Sequence, residues 1–264
     1  MTNPAQLRPA ARRYAGRVSS EEVRVFADIE ALSLRAAENA VEVINEAVRS
    51  HGRCAVALSG GSTPRTLYGL MASRFRDQVP WTHVDVFWAD ERYVPAGDAN
   101  SNYRMARETL LDYVPCPAEN VHPMPTSFPV ADDAARDYER VLRDYFTADA
   151  PRFDLIVLGL GADGHTASLF PGSPALAEQA RWVVAVTEPV MPPARLTLTL
   201  PVLTHAANIQ VLAAGANKAT AFQQALGGAA DPTLSPAAGL RLTGGTLLWL
   251  ADREAAGSSS VILG

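Results

Sequence analysis

The chain has little cysteine and only one lysine. Cys54 and Cys116 are its two thiols in 264 residues, too few for a disulfide framework. Both are expected to be inert thiols in a reducing cytoplasm. No apolar run approaches the roughly 18–20 residues of a membrane-crossing helix, so no membrane partner is expected. Met1 to Arg17 carries arginines but no apolar stretch of the kind that marks a secretory signal. Residues 1–22 read as a poorly ordered lead-in to a single domain over residues 23–264. A basic excess is also missing: the net charge is −5, which argues against a nucleic-acid footprint. The 5 histidines are scattered without metal-ligand spacing, so no metal site is expected.

What the chain does have is a 48% apolar composition and alternating strand and helix patterns. Val23 to Phe26 reads as a strand. Asp28 is an N-cap for a long alanine-rich helix running to about Ser50, with Gly52 as its stop. Strands are predicted over Cys54–Leu58, Val84–Trp88, Leu155–Leu158, Trp182–Val186, Arg195–Leu200, Ile209–Ala213 and Thr246–Leu250. Helices are predicted over Pro64–Met71, Ser101–Leu111, Ala131–Phe146 and Lys218–Leu226, with a proline-rich connection from Pro115 to Pro129. This alternation predicts an α/β fold: an open, mainly parallel sheet with helices on both faces.

Four stretches carry the chemistry. The apolar run Leu155–Leu158 ends in Gly159-Leu-Gly-Ala-Asp-Gly164 and His165. A carboxylate and an imidazole thus stand just past a central strand, where ligands bind in open α/β sheets. The glycines match the dinucleotide pattern G-x-G-x-x-G, and Glu188 stands where a ribose-binding acid would. That pattern needs a crossover helix, however, and Pro171 and Pro174 leave Thr166 to Phe170 room for about one turn. Imidazole suits general-base work near neutral pH. Ser168 invites a nucleophile reading, but no G-x-S-x-G elbow is present.

In Leu58-Ser-Gly-Gly-Ser-Thr-Pro64 a strand runs through Gly60 and Gly61 to the hydroxyls of Ser62 and Thr63 and a helix start. This is either an ordinary capped turn or a phosphate cradle of backbone N–H groups. It lacks the G-K-[ST] ending of a Walker loop. Trp88-Ala-Asp-Glu-Arg-Tyr-Val-Pro95 places Asp90, Glu91 and Arg92 after another strand. They form either a solvated loop with a local ion pair or a site at the same sheet edge. Asn100-Ser-Asn102 follows, as an N-cap or a sugar-hydroxyl contact. Arg195 and Lys218, the one lysine, stand at a strand start and at a strand-to-helix turn. A cation at such a turn suits an anionic substrate group.

Together these pieces resemble the 6-phosphogluconolactonase family. The likeness runs over about residues 23 to 251 and rests on 58–64, 90–95 with Ser101-Asn102, 159–173, Arg195 and Lys218. The resemblance implies a three-layer, Rossmann-like fold shared with glucosamine-6-phosphate deaminases and ribose-5-phosphate isomerases, without a nucleotide. It implies hydrolysis of 6-phospho-D-glucono-1,5-lactone to 6-phosphogluconate, with no cofactor and no metal; a cytoplasmic monomer is expected. By analogy His165 deprotonates water, Asp163 orients or tunes it or holds the loop, and Arg92 binds the lactone oxygens or stabilises the oxyanion, with backbone N–H groups near Gly60 assisting. Gly60, Gly61, Ser62, Thr63, Arg195 and Lys218 hold the phosphate, and Asp90, Glu91 and Asn102 join the substrate contacts. The rivals are an amino-sugar phosphate deaminase or isomerase on the same fold, and a sugar-phosphate sensor. A sensor of that kind carries a helix-turn-helix, which the first 22 residues do not supply. Deaminases of this fold carry a glutamate five residues after the histidine; here that position is Phe170.

Overall fold

The structure, a computed structural model, describes residues 19–148, 150–187, 192–227 and 231–257. Its centre is a six-stranded sheet in the order β1-β9-β8-β5-β2-β3. The strands are β1 (Ser20–Phe26), β2 (Cys54–Leu58), β3 (Val84–Trp88), β5 (Leu155–Gly159), β8 (Asn208–Ala213) and β9 (Thr246–Asp252). Every neighbouring pair is parallel. β2 and β3 are buried along their whole length, which a parallel sheet reaches only when both faces are covered. The expected mainly parallel α/β sheet is therefore present.

The cover comes first from α1 (Ile29–His51). Asp28 caps it by accepting from Ala31 N–H at 2.9 Å, and Gly52 ends it in the left-handed region at φ 83°. Ala36, Ala37, Ala40 and Ala47 are buried on its inner stripe. Leu32, Val41 and Ile44 are buried among them, and α1 packs on the sheet and on α2 (Ser62–Ser73). The other main helices are α3 (Asn102–Thr109), α4 (Ala131–Phe146) and α6 (Ala219–Leu226). No helix among the described residues is long and apolar enough to cross a membrane.

The strand order places the site. From β2 the chain goes to β3 on one side; from β5 it goes to β8 and β9 on the other. The direction of winding reverses between β2 and β5, and in open α/β sheets the crevice opens beyond the carboxyl ends of such a pair.

A second, three-stranded sheet runs in the order β4-β7-β6. It consists of β4 (Asp90–Arg92), β6 (Val183–Val186) and β7 (Arg195–Leu198), all antiparallel. Ala89 alone separates β3 from β4. It ties the two sheets by donating to Leu58 O and accepting from Leu198 N–H, both at 2.8 Å. The expected loop over Asp90–Arg92 is thus a strand, although three adjacent charges carry no strand signal. The strand predicted over Arg195–Leu200 stops at Leu198, and Leu200–Thr204 forms a short helix, α5, with Pro201 in its first turn. No helical turn forms over Thr166–Phe170: an antiparallel bridge links Thr166 and Leu169 instead, around Ala167 at φ 49°. β1 begins three residues before Val23, at Ser20. Cys54 and Cys116 are both free thiols.

Candidate active site

A cleft of about 300 Å³ opens at the carboxyl ends of the strands, walled by the loops after β2, β5 and β8 and by β4 and β7. A larger hollow of about 520 Å³ lies among Pro95, Tyr103, Pro123, Met124 and Pro125. Among the described residues that hollow carries no cationic side chain, so chemistry rather than size singles out the first.

The glycine loop forms one wall. A side chain on Gly60 would put its Cβ 1.9 Å from Asn102 Oδ1, so only glycine lets Asn102 lie against the backbone here. Gly61 adopts φ 110° and starts α2, and no side chain caps that helix. The first turn, with Ser62 and Thr63 on the cleft wall, therefore keeps donors and partial positive charge for an anion. Tyr68 holds the loop from behind. Its hydroxyl accepts from Ser59 N–H at 3.0 Å and donates to Ser59 O at 2.9 Å. Burial pushes this phenol far above its usual range, so it stays neutral and can do both.

The second wall follows from β4 being a strand. Side chains alternate across a strand, so Asp90 and Arg92 share one face and Glu91 takes the other. Asp90 and Arg92 line the cleft; Glu91 does not. Glu91 is 1% exposed. It accepts from the backbone N–H groups of Asn102 and Tyr103, both at 2.7 Å, and from Ser101 Oγ at 3.1 Å. The expectation that Glu91 contacts substrate is corrected: it caps α3. Glu91→Ala should lower the unfolding free energy by about 1–2 kcal/mol, the cost of a lost cap, read from the urea midpoint. An unchanged midpoint would remove this role. Of Asn100-Ser-Asn102, Ser101 is the side-chain cap, accepting from Arg104 N–H at 3.1 Å. Asn102 lines the cleft and donates to Asp90 O at 2.9 Å.

The antiparallel register sets Arg92 directly across from Arg195, and both line the cleft. Like charges in this position repel. Arg92 donates to Asn100 O at 2.8 Å. Arg195 Nη1 is buried without a partner, and its guanidinium is held below the usual range by burial and by Arg92. An anion placed between the two would relieve both costs. Asp90 offsets part of the charge. Burial pushes its carboxyl up, against the Ser168 hydroxyl and the charges of Arg92, His165 and Arg195.

The third wall is the loop after β5. Gly161 N–H donates to His165 O at 2.8 Å, and Gly164 turns the chain at φ 86°. A Cβ on Gly161 would stand 2.1 Å from His165 Nδ1 and 2.5 Å from Asp163 Oδ1. Gly161 therefore makes room for the acid and imidazole, and Gly164 for Ser235, whose Oγ a Cβ there would meet at 2.8 Å. Glu188, the acid weighed for a ribose, lies outside the described residues. Asp163 Oδ1 meets His165 Nδ1 at 2.5 Å and the His165 N–H at 3.1 Å, so it both orients the ring and holds the loop. The hydrogen bond from His165 keeps its carboxyl below the ordinary range. Asp163 itself is not on the cleft wall. A neutral imidazole that donates Nδ1–H to Asp163 carries its lone pair on Nε2. Phe170 packs on the imidazole with ring centres 4.6 Å apart.

Lys218 ends a tight turn over Ala216–Lys218, between β8 and α6, and completes the wall. The strand order sets Lys218 at the β8 end and Arg92 at the β4 end, with His165 and the glycine loop between them. Of the site residues that the family resemblance implies, all line the cleft except Asp163 and Glu91. Sequence reading missed Ser59, Ala167 and Phe170 as wall residues and set Ser168 aside as a nucleophile. Their only signal was adjacency to the glycines and the histidine.

The family of glucosamine-6-phosphate isomerases and 6-phosphogluconolactonases matches residues 27–249. A Synechocystis protein named 6-phosphogluconolactonase is 43% identical over 215 residues, covering 80% of this chain and 87% of its own length. A Mycobacterium tuberculosis protein of the same name is 41% identical over 244 residues, covering 90% and 98%. The solved structure of 6-phosphogluconolactonase from Trypanosoma brucei superposes with a TM-score of 0.78 at 33% identity, covering 90% of this chain and 98% of that one. The chain belongs to the glucosamine-6-phosphate isomerase/6-phosphogluconolactonase family.

Proposed function

We propose that the chain hydrolyses 6-phospho-D-glucono-1,5-lactone to 6-phosphogluconate. His165 Nε2 takes a proton from water as the water oxygen attacks the lactone carbonyl carbon. Arg92 faces the oxyanion that forms, with backbone N–H groups near Gly60. When the tetrahedral intermediate collapses, the bond to the ring oxygen breaks and the imidazolium returns its proton to that oxygen. Asp163 holds the imidazole in the tautomer this requires. The first turn of α2, Arg195 and Lys218 hold the phosphate. An activated ester needs a positioned water and one base, and the site supplies both. Every group belongs to one chain, so the reading needs only a monomer, and two free thiols fit the cytoplasm.

The observation that carries this reading over a deaminase is Phe170. It occupies the place of the deaminase glutamate and lies against His165, where it cannot move a proton. No Asp or Glu occurs from Thr166 to Leu176. Among the described residues the one carboxylate on the cleft wall, Asp90, is tied to Ser168 and Asn102. Purified protein should hydrolyse lactone generated in situ well above its spontaneous rate and release no ammonia from glucosamine 6-phosphate. Ammonia release at a rate comparable to lactone hydrolysis would promote the deaminase.

A further inference from the structure

We infer that Ser168 is a positioning residue that sets the base-bearing loop against the strands carrying the two arginines. The inference rests on the lactonase reading and concerns how its two halves are held in register.

Ser168 is 1% exposed and lies three residues after His165. Its hydroxyl donates to Asp90 Oδ2 at 2.7 Å. Its backbone N–H donates to Thr197 Oγ1 at 3.2 Å. Asp90 and Thr197 are opposite each other in the β4–β7 register, and Arg92 and Arg195 form the next pair but one. Because side chains repeat every second residue along a strand, all four project from the same face of the small sheet. One pair grips the loop of the base; the other presents the guanidinium groups. The backbone beside the grip is strained: Ala167 sits in the left-handed region at φ 49°, which a non-glycine residue adopts only at a cost. Ser168 and the Thr166–Leu169 bridge hold it there. On the other side Phe170 packs on the imidazole, so movement of this turn is movement of the base. The grip is the hydrogen-bonded link between the His165 loop and the small sheet. The distance from base to oxyanion arginine therefore depends on it.

A misplacement of about 1 Å in a catalytic group can cost up to about 10²-fold in rate. Ser168→Ala should lower kcat on the phosphorylated lactone about tenfold and leave KM within about twofold. Ser168→Cys, with a weaker donor of nearly the same size, should fall between alanine and serine in kcat at the same KM. Thermal midpoints without substrate, with assays run well below them, separate this from a folding defect, and the cysteine variant serves if the alanine variant does not fold. A kcat equal to that of the wild type in both variants would overturn the inference. So would a rise in KM with kcat retained, which would make Ser168 a substrate contact. A loss as deep as that of a His165 variant would make it the nucleophile instead. Wild-type protein that hydrolyses no lactone in the same assay would sink the functional reading itself, a distinct result.

Discussion

His165→Asn should lower kcat by about 10²–10⁴-fold, the usual contribution of a positioned general base. Asparagine keeps a short side-chain amide able to donate to Asp163, so the loop that His165 closes with Gly161 should survive. What disappears is the lone pair of Nε2. No other histidine lines the cleft; His51 and His122 are engaged with Asp154 and Asp85, and His205 faces Pro151 O. Substrate affinity should change far less than turnover, because the phosphate contacts lie on other elements. Steady-state kinetics on lactone made in situ, corrected for spontaneous hydrolysis, checks this. A variant that keeps most of its turnover removes His165 as the base.

Lys218→Ala should lower kcat/KM on 6-phosphogluconolactone by roughly 10–150-fold, the equivalent of losing a charge-assisted hydrogen bond of about 1.5–3 kcal/mol. On unphosphorylated gluconolactone it should change little. Lys218 lines the cleft at the β8 end, and the chain has no second lysine to replace it. The uncapped first turn of α2 and the partnerless Nη1 of Arg195 remain in the variant, so binding should weaken rather than vanish. The ratio of the two lactones is the measurement. Equal losses on both would mean that Lys218 shapes the cleft and does not hold the phosphate.

Much of this architecture is local, and local patterns are readable. α1 lies where its cap, alanine stripe and terminal glycine put it, within a residue at each end. β2, β3 and α4 fall on their predicted spans. Apolar runs bounded by glycine and proline admit few alternatives. The contact of Asp163 with His165 was legible for the same reason: the two are two residues apart and share one loop, so their pairing is decided by the turn that Gly161 and Gly164 permit. The turn from β2 into α2 was legible for the same cause, and it starts at Gly61 with no side-chain cap.

Sequence by itself therefore determined the parallel sheet, the loops at its carboxyl edge, and the residue types gathered there. Only the tertiary structure decided which of three adjacent charges enters the site. Asp90, Glu91 and Arg92 have no apolar pattern and no β-branched residue. They form a strand because β7, distant in the chain, pairs with them. That pairing imposes a period of two, which sends Asp90 and Arg92 to the cleft and Glu91 to the helix behind it. It also sets Arg92 opposite Arg195, a contact that no spacing within either segment contains. Cross-strand register depends on long-range pairing, and the binding face of this site follows from that register.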